Sequence, residues 1–136
     1  MGRVMAEEVW RGVMREVLER ISKRLNVESA IIFGSWSRGG GGEWSDVDIL
    51  IVTESVERVS ILDRFYIAAE CRVPRADIFL YTYRELESMV RKGNPLALSA
   101  LIDGVPVKLS ERVGALIDYA KRRYERRGRF YVERPS

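Results

Sequence analysis

Met5, Val9, Val13, Val17, Ile21 and Leu25 recur at four-residue steps, with Trp10, Met14 and Leu18 beside them. That spacing predicts a long amphipathic helix over 5–25, ended at Asn26, with one wide apolar stripe. The stripe is expected chiefly as core, and its broad face at Trp10 also offers a place for a dimer or partner contact. The period then shortens. Ser29-Ala30-Ile31-Ile32-Phe33 reads as a buried strand, 34–44 as a glycine-rich loop, and Asp46 to Val52 as a second strand. The second strand is apolar on both faces beyond its first three residues and is expected in the middle of a sheet. Residues 57–72 predict a helix burying Val59, Leu62, Phe65, Ile67 and Ala69, and Pro74 separates it from a third strand, Ala76 to Thr82.

Tyr83 to Lys92 reads as a helix stopped by Gly93-Asn94-Pro95, and Pro95 can open a short helix through Ile102. Asp103-Gly104 signals a turn into an edge strand, Val105 to Leu109, which contains Pro106. Ser110 can cap a last helix with Val113, Leu116, Ile117, Ala120 and Tyr124 on one face. No internal repeat or interdomain linker interrupts the pattern. The expectation is one α/β domain over 1–136, with a basic C-terminal helix and tail over 110–136.

Composition narrows the chemistry. The 136 residues include no histidine and one cysteine. A chain of this length buries about two-thirds of its unfolded surface and leaves little room for a second domain. Without histidine there is no Ser-His-Asp or Cys-His catalysis and no zinc site bearing histidine. A lone Cys71 excludes an internal disulfide and fits a reducing compartment; it is expected as a small buried hydrophobe. Carboxylates, hydroxyls, lysines, arginines and metals held by oxygen remain. No apolar run approaches the roughly 18–20 residues of a membrane span, and the amino terminus lacks the apolar core of a signal peptide. A cytoplasmic location is expected. The net charge of +3 resides in the tail, because 119–136 carries seven bases against two acids. The simplest reading is a solvated helix end with cations at the negative end of its dipole, so nucleic acid is not the expected partner.

The chemistry concentrates between Phe33 and Asp48. Gly34 and Gly39 have the spacing of a P-loop, but glycine stands at position 40 where that loop needs lysine. Gly34-Ser35-Trp36 breaks the dinucleotide-binding fingerprint. What remains is a strand ending in Gly34-Ser35, then a loop whose amides and hydroxyl can cradle a triphosphate. Asp46 and Asp48 lie two apart at a strand start, so both carboxylates point to one side. Such neighbours repel unless a divalent cation sits between them, and hard oxygen ligands suit magnesium. Asp77, opening the third strand, is the candidate for a third carboxylate and hence a second ion roughly 3.5–4 Å from the first. A strand-edge acid pair alone has a purely structural reading; Gly34-Ser35 upstream and Asp77 downstream tip the balance.

Gly34-Ser35, then Gly39, then Ser45-Asp46-Val47-Asp48 followed by Ile49-Leu50-Ile51-Val52 resembles the signature of the DNA polymerase beta nucleotidyltransferase superfamily. The small prokaryotic minimal nucleotidyltransferases (MNT) are the most similar members. The resemblance covers about 28–109 and departs in the Gly39–Gly42 run. It implies a polymerase-beta-like α/β (α+β) fold, a small mixed sheet flanked by helices. It also implies a reaction in which a hydroxyl attacks the α-phosphate of a nucleoside triphosphate, expected to be ATP. By that likeness Asp46 and Asp48 hold two Mg2+ ions, and Asp77 binds the ion that activates the acceptor and takes its proton. Gly34 and Ser35 bind the β- and γ-phosphates, and Arg38 and Ser45 complete the nucleotide site. Larger members carry an acceptor domain, which is not expected here. Small relatives pair with a helical HEPN toxin and act as its antitoxin by binding or by adding AMP. The rivals are a catalytically silent binding module and an RNA-binding adaptor using the basic tail. Trp36 and Trp44 are expected either to stack on a base or to cover apolar surface, Asp63 and Glu70 to be solvated, and Ser37 to serve the loop.

Overall fold

The computed structural model describes residues 2–34 and 47–135, with side chains from residue 9 onward. The apolar runs form β1 (Ser29–Phe33), β2 (Val47–Val52), β3 (Ala76–Tyr81) and β4 (Val105–Lys108), in the spatial order β3-β2-β1-β4. β1 runs antiparallel to β2 and β4, whereas β2 and β3 are parallel. β2 therefore has strands on both sides, as its two-sided apolar sequence requires.

Period-two alternation divides the interior into two cores. Ala30, Ile32, Ile49, Ile51, Ile78 and Leu80 face a layer made by α1 (Gly2–Ser22) and α2 (Ile61–Cys71). Ile31, Phe33, Leu50 and Val52 face α3 (Tyr83–Arg91), α4 (Pro95–Leu98) with the π-helical turn Ser99–Asp103, and α5 (Glu111–Arg123). The result is a mixed sheet flanked by helices. Met14, Val17 and Ile21 of α1 lie wholly inside, so the stripe of the first helix serves the core, with Trp10 partly buried at its rim. Among the described residues no helix is long and apolar enough to cross a membrane.

Two expectations need correction. The helix expected over 57–72 begins at Ile61, because Ser60 caps it by accepting from Asp63 N, and Glu54–Val56 forms a separate 3-10 turn. Its inward side carries Arg64, Ile67, Ala68 and Cys71, while Leu62, Phe65 and Ala69 point outward. The reason is Arg64. Its Nε donates to Val59 O (2.9 Å), its NH2 to Val56 O (2.8 Å), and its NH1 to Leu80 O (3.4 Å) and Glu85 Oε1 (2.7 Å). These bonds satisfy carbonyls at the end of the 3-10 turn and on the outer edge of β3, which no other strand among the described residues covers.

The second correction concerns the tail. The last helix ends at Arg123, and Tyr124–Arg127 (β5) and Phe130–Glu133 (β6) form a hairpin. Gly128 supplies the positive φ of its turn. Tyr124 is buried as expected, but as the first residue of β5, with its hydroxyl donating to Val90 O at 3.0 Å. Arg123 and Arg126 pair with Glu133 and Asp103, and Arg127 and Arg134 both pair with Glu125.

Candidate active site

The parallel pairing sets Asp48 directly beside Asp77. Adjacent strands lie about 4.8 Å apart, and paired residues of a parallel ladder share a face, so the two carboxylates project side by side. Further along that face stand Leu50 and Phe79, and Phe33, paired with Asp48, has its ring 5.9 Å from that of Phe79. The acids thus sit beside an apolar floor at one end of the sheet.

The register is pinned at the strand starts. Arg75, just before β3, adopts a left-handed φ of 72°, uncommon for a residue with a side chain. Its carbonyl accepts from Val47 N at 2.7 Å and so ties the first residue of β2 to the entrance of β3. Gly34, directly after β1, has φ +91°, and a Cβ built there would lie 2.5 Å from Asp48 Oδ2. Glycine is required twice over, by the backbone angle and by the carboxylate that occupies the missing side chain's space. Gly34 and Asp48 are one structural unit.

Of the expected site residues, Gly34, Asp48 and Asp77 come together at one end of the sheet; Ser35, Arg38, Ser45 and Asp46 lie outside the described residues, as do Trp36, Trp44 and Gly39–Gly42. Among the described residues no group of three potential metal-binding side chains assembles. Asp48 and Asp77 supply two carboxylates. Two side-by-side carboxylates suit a hard divalent cation by donor type, and the sequence offers no softer nitrogen or sulfur ligand in this stretch.

Arg72 was not foreseen from the sequence. It ends α2, donates from Nε to Ala76 O at 3.1 Å and brings its guanidinium to 3.8 Å from Asp77 Oδ1. Its position, a few residues before a strand-opening acid, was the available signal. Cys71 is buried, as expected, and burial pushes its thiol pKa up. Asp63 is exposed, and Glu70, also exposed, forms an ion pair with Arg24.

A second group of acids lies at the far end of the β2–β3 pair. An open groove of about 790 Å3 there is lined by Glu54, Tyr81, Thr82, Tyr83, Glu85 and Arg112, among others. Its polar groups are tied to one another. Arg112 grips Glu28 through two bonds (2.7 and 2.6 Å) and lies 4.4 Å over the ring of Tyr83. Glu54 accepts from Tyr83 N at 2.9 Å. Thr82 and Glu85 form a capping box that starts α3, and Glu85 also takes Arg64. The Arg112 hydrogen bond, opposed by burial and helped by Ser110, holds the Glu28 carboxyl below its ordinary range. Burial raises the Glu85 pKa, but the Arg64 and Thr82 bonds outweigh it and the net direction is downward.

The fold has solved counterparts. A candidate nucleotidyltransferase from Sulfolobus solfataricus is similar with a TM-score of 0.60 and 20% identity, over 78% of this chain and 86% of that one. A toxin-antitoxin crystallised with AMP-PNP is similar with a TM-score of 0.53 and 15% identity, over 77% and 80% of the two chains. At such identities the likeness is one of fold. No curated protein matches the chain. Residues 14–127 match the family described as nucleotidyltransferase domain, and they contain Gly34, Asp46, Asp48 and Asp77. The chain belongs to the nucleotidyltransferase domain family.

Proposed function

We propose that this domain transfers AMP from ATP to a hydroxyl on a partner protein, with Mg2+, as the antitoxin of a HEPN/MNT toxin–antitoxin pair. The observation that carries the reading is the placement of Asp48 beside Asp77, with the Asp48 carboxylate seated in the space left by Gly34. Bound magnesium would neutralise phosphate charge and lower the pKa of the acceptor hydroxyl, so no histidine base is needed. Asp46 and Asp48 would hold both ions, with Asp77 as a ligand on the acceptor side. Gly34, Ser35, Arg38 and Ser45 would orient the triphosphate. The acceptor oxygen bonds to the α-phosphorus, the bond from that phosphorus to the bridging oxygen breaks, and pyrophosphate leaves. Asp77 takes the acceptor's proton. A partner is supported by the structural neighbour that is a toxin-antitoxin.

The test is incubation with ATP labelled at the α-phosphate, magnesium and each candidate partner. The expected result is a labelled partner with release of pyrophosphate, lost in Asp48→Asn. If the wild type labels no partner while Asp48→Asn still neutralises it, the chain acts by occlusion and the transfer reading is wrong.

A further inference from the structure

Two arginines from α2 and its end bond the outer edge of β3. The carbonyls of Arg75 and Tyr81 accept from Val47 N and Thr53 N on the β2 side, so by alternation those of Ala76 and Leu80 face outward. Arg64 donates to Leu80 O, and Arg72, just past the last turn of α2, donates from Nε to Ala76 O at 3.1 Å. The two then differ. The Arg64 side chain is 8% exposed and closes on Glu85 at 2.7 Å. That of Arg72 is 56% exposed and comes only to 3.8 Å from Asp77 Oδ1.

Ala76, Ile78 and Leu80 face the α1–α2 layer, whereas Asp77 shares the opposite face with Phe79. Arg72 therefore carries its charge round the edge strand from one face of the sheet toward the other. It is held at both ends, because Arg20 NH1 donates to its carbonyl at 3.0 Å and its own Nε is bonded to Ala76 O. At 3.8 Å the guanidinium brings charge to Asp77 without a hydrogen bond to Oδ1.

We propose that Arg72 is a positioning residue of the metal site, a resident counter-cation that steadies Asp77 before metal arrives and lowers the affinity of the site for a free divalent ion. The inference rests on the metal reading given under Proposed function. A fixed positive charge beside a ligand repels an incoming cation and attracts an anion. Free metal is thereby disfavoured, whereas metal carried on a triphosphate, whose net charge is negative, is not.

Mn2+ binding to the full chain, followed by titration calorimetry without nucleotide or partner, tests this. Arg72→Gln is expected to bind Mn2+ about fivefold more tightly than the wild type, the scale of one half-exposed charge near a divalent ion. Arg72→Lys keeps the charge but cannot reproduce the Nε bond, and is expected within about twofold of the wild type. Arg112→Gln removes an equal charge at the far end of the sheet and is expected to change nothing. Both arginines are about half exposed, so the variants are expected to fold, which a cooperative melt checks. The inference alone is overturned if Arg72→Gln binds Mn2+ no more tightly than the wild type. It is equally overturned if Arg72→Lys or Arg112→Gln tightens binding as much as Arg72→Gln. If no Mn2+ binds, or if Asp48→Asn binds it as the wild type does, the metal reading itself fails and this inference with it.

Discussion

The β2–β3 pair carries acids at both ends, and the two ends treat them differently. At the far end Glu28, Glu54 and Glu85 are answered by Arg112, by the Tyr83 amide, and by Arg64 with the Thr82 amide. At the near end Asp48 and Asp77 are set beside one another, and Arg72 approaches Asp77 only to 3.8 Å while half exposed. Acids whose partners arise within the fold hold the structure together. Asp48 and Asp77 stand instead on adjacent strands at the end of the sheet where Gly34 closes on Asp48. The near end is where the proposed metal and phosphate chemistry is placed, and the far end carries an open groove of about 790 Å3.

Substitutions sharpen the contrast. The largest effect is expected from Asp48→Asn, which should lower nucleotidyl transfer by about 10^3-fold or more while the near-isosteric change leaves the metal-free melting temperature close to that of the wild type. Transfer assays and calorimetry without metal check both halves. A large loss of metal-free stability would place Asp48 with the structural acids.

At the far end the opposite is expected. Arg64→Met should cost about 3 kcal/mol in urea unfolding, because carbonyls of Val56, Val59 and Leu80 and the Glu85 carboxylate lose their partner. A loss below about 1 kcal/mol would show that this end is not held by its ion pairs.

Gly34→Ala belongs to both categories. The left-handed backbone and the clash with Asp48 Oδ2 should cost about 1–2 kcal/mol, and displacement of the carboxylate should reduce transfer by about 10^2-fold. A variant of full activity would separate Gly34 from Asp48.

The smallest effect concerns pH. Glu28 and Glu85 both titrate in the folded state below their ordinary value of 4.5. Their contribution is thus complete above pH 4.5 and is lost as pH falls through the lower folded values. Arg112→Ala should remove the Glu28 share, at most about 1 kcal/mol given the exposure of Arg112, and flatten the stability profile below that pH. Acid titration of unfolding free energy measures it, and an unchanged profile would reassign the acid sensitivity to Glu85.

Much of the fold was legible because local signals agreed. Ser110, Pro95 and the Gly93-Asn94-Pro95 breaker sit where helices start or stop, and Pro106 lies in the edge strand it predicts. α2 was misread because apolar residues occur on both of its sides, and periodicity cannot say which side faces the sheet. A single arginine with several carbonyls to satisfy decided that. The tail was misread because bases and aromatics at 124–133 suit a solvated helix as well as a hairpin.

By itself the sequence determined the types of element up to the tail and the two-sided strand at the centre, and it offered Gly34, Asp46, Asp48 and Asp77 as candidates, since spacing and residue chemistry are local properties. The tertiary structure decided which acids stand together and which are neutralised. Whether a carboxylate meets an arginine or another carboxylate depends on strand register and on the rotation of a helix, and both are set by contacts between residues distant in the chain.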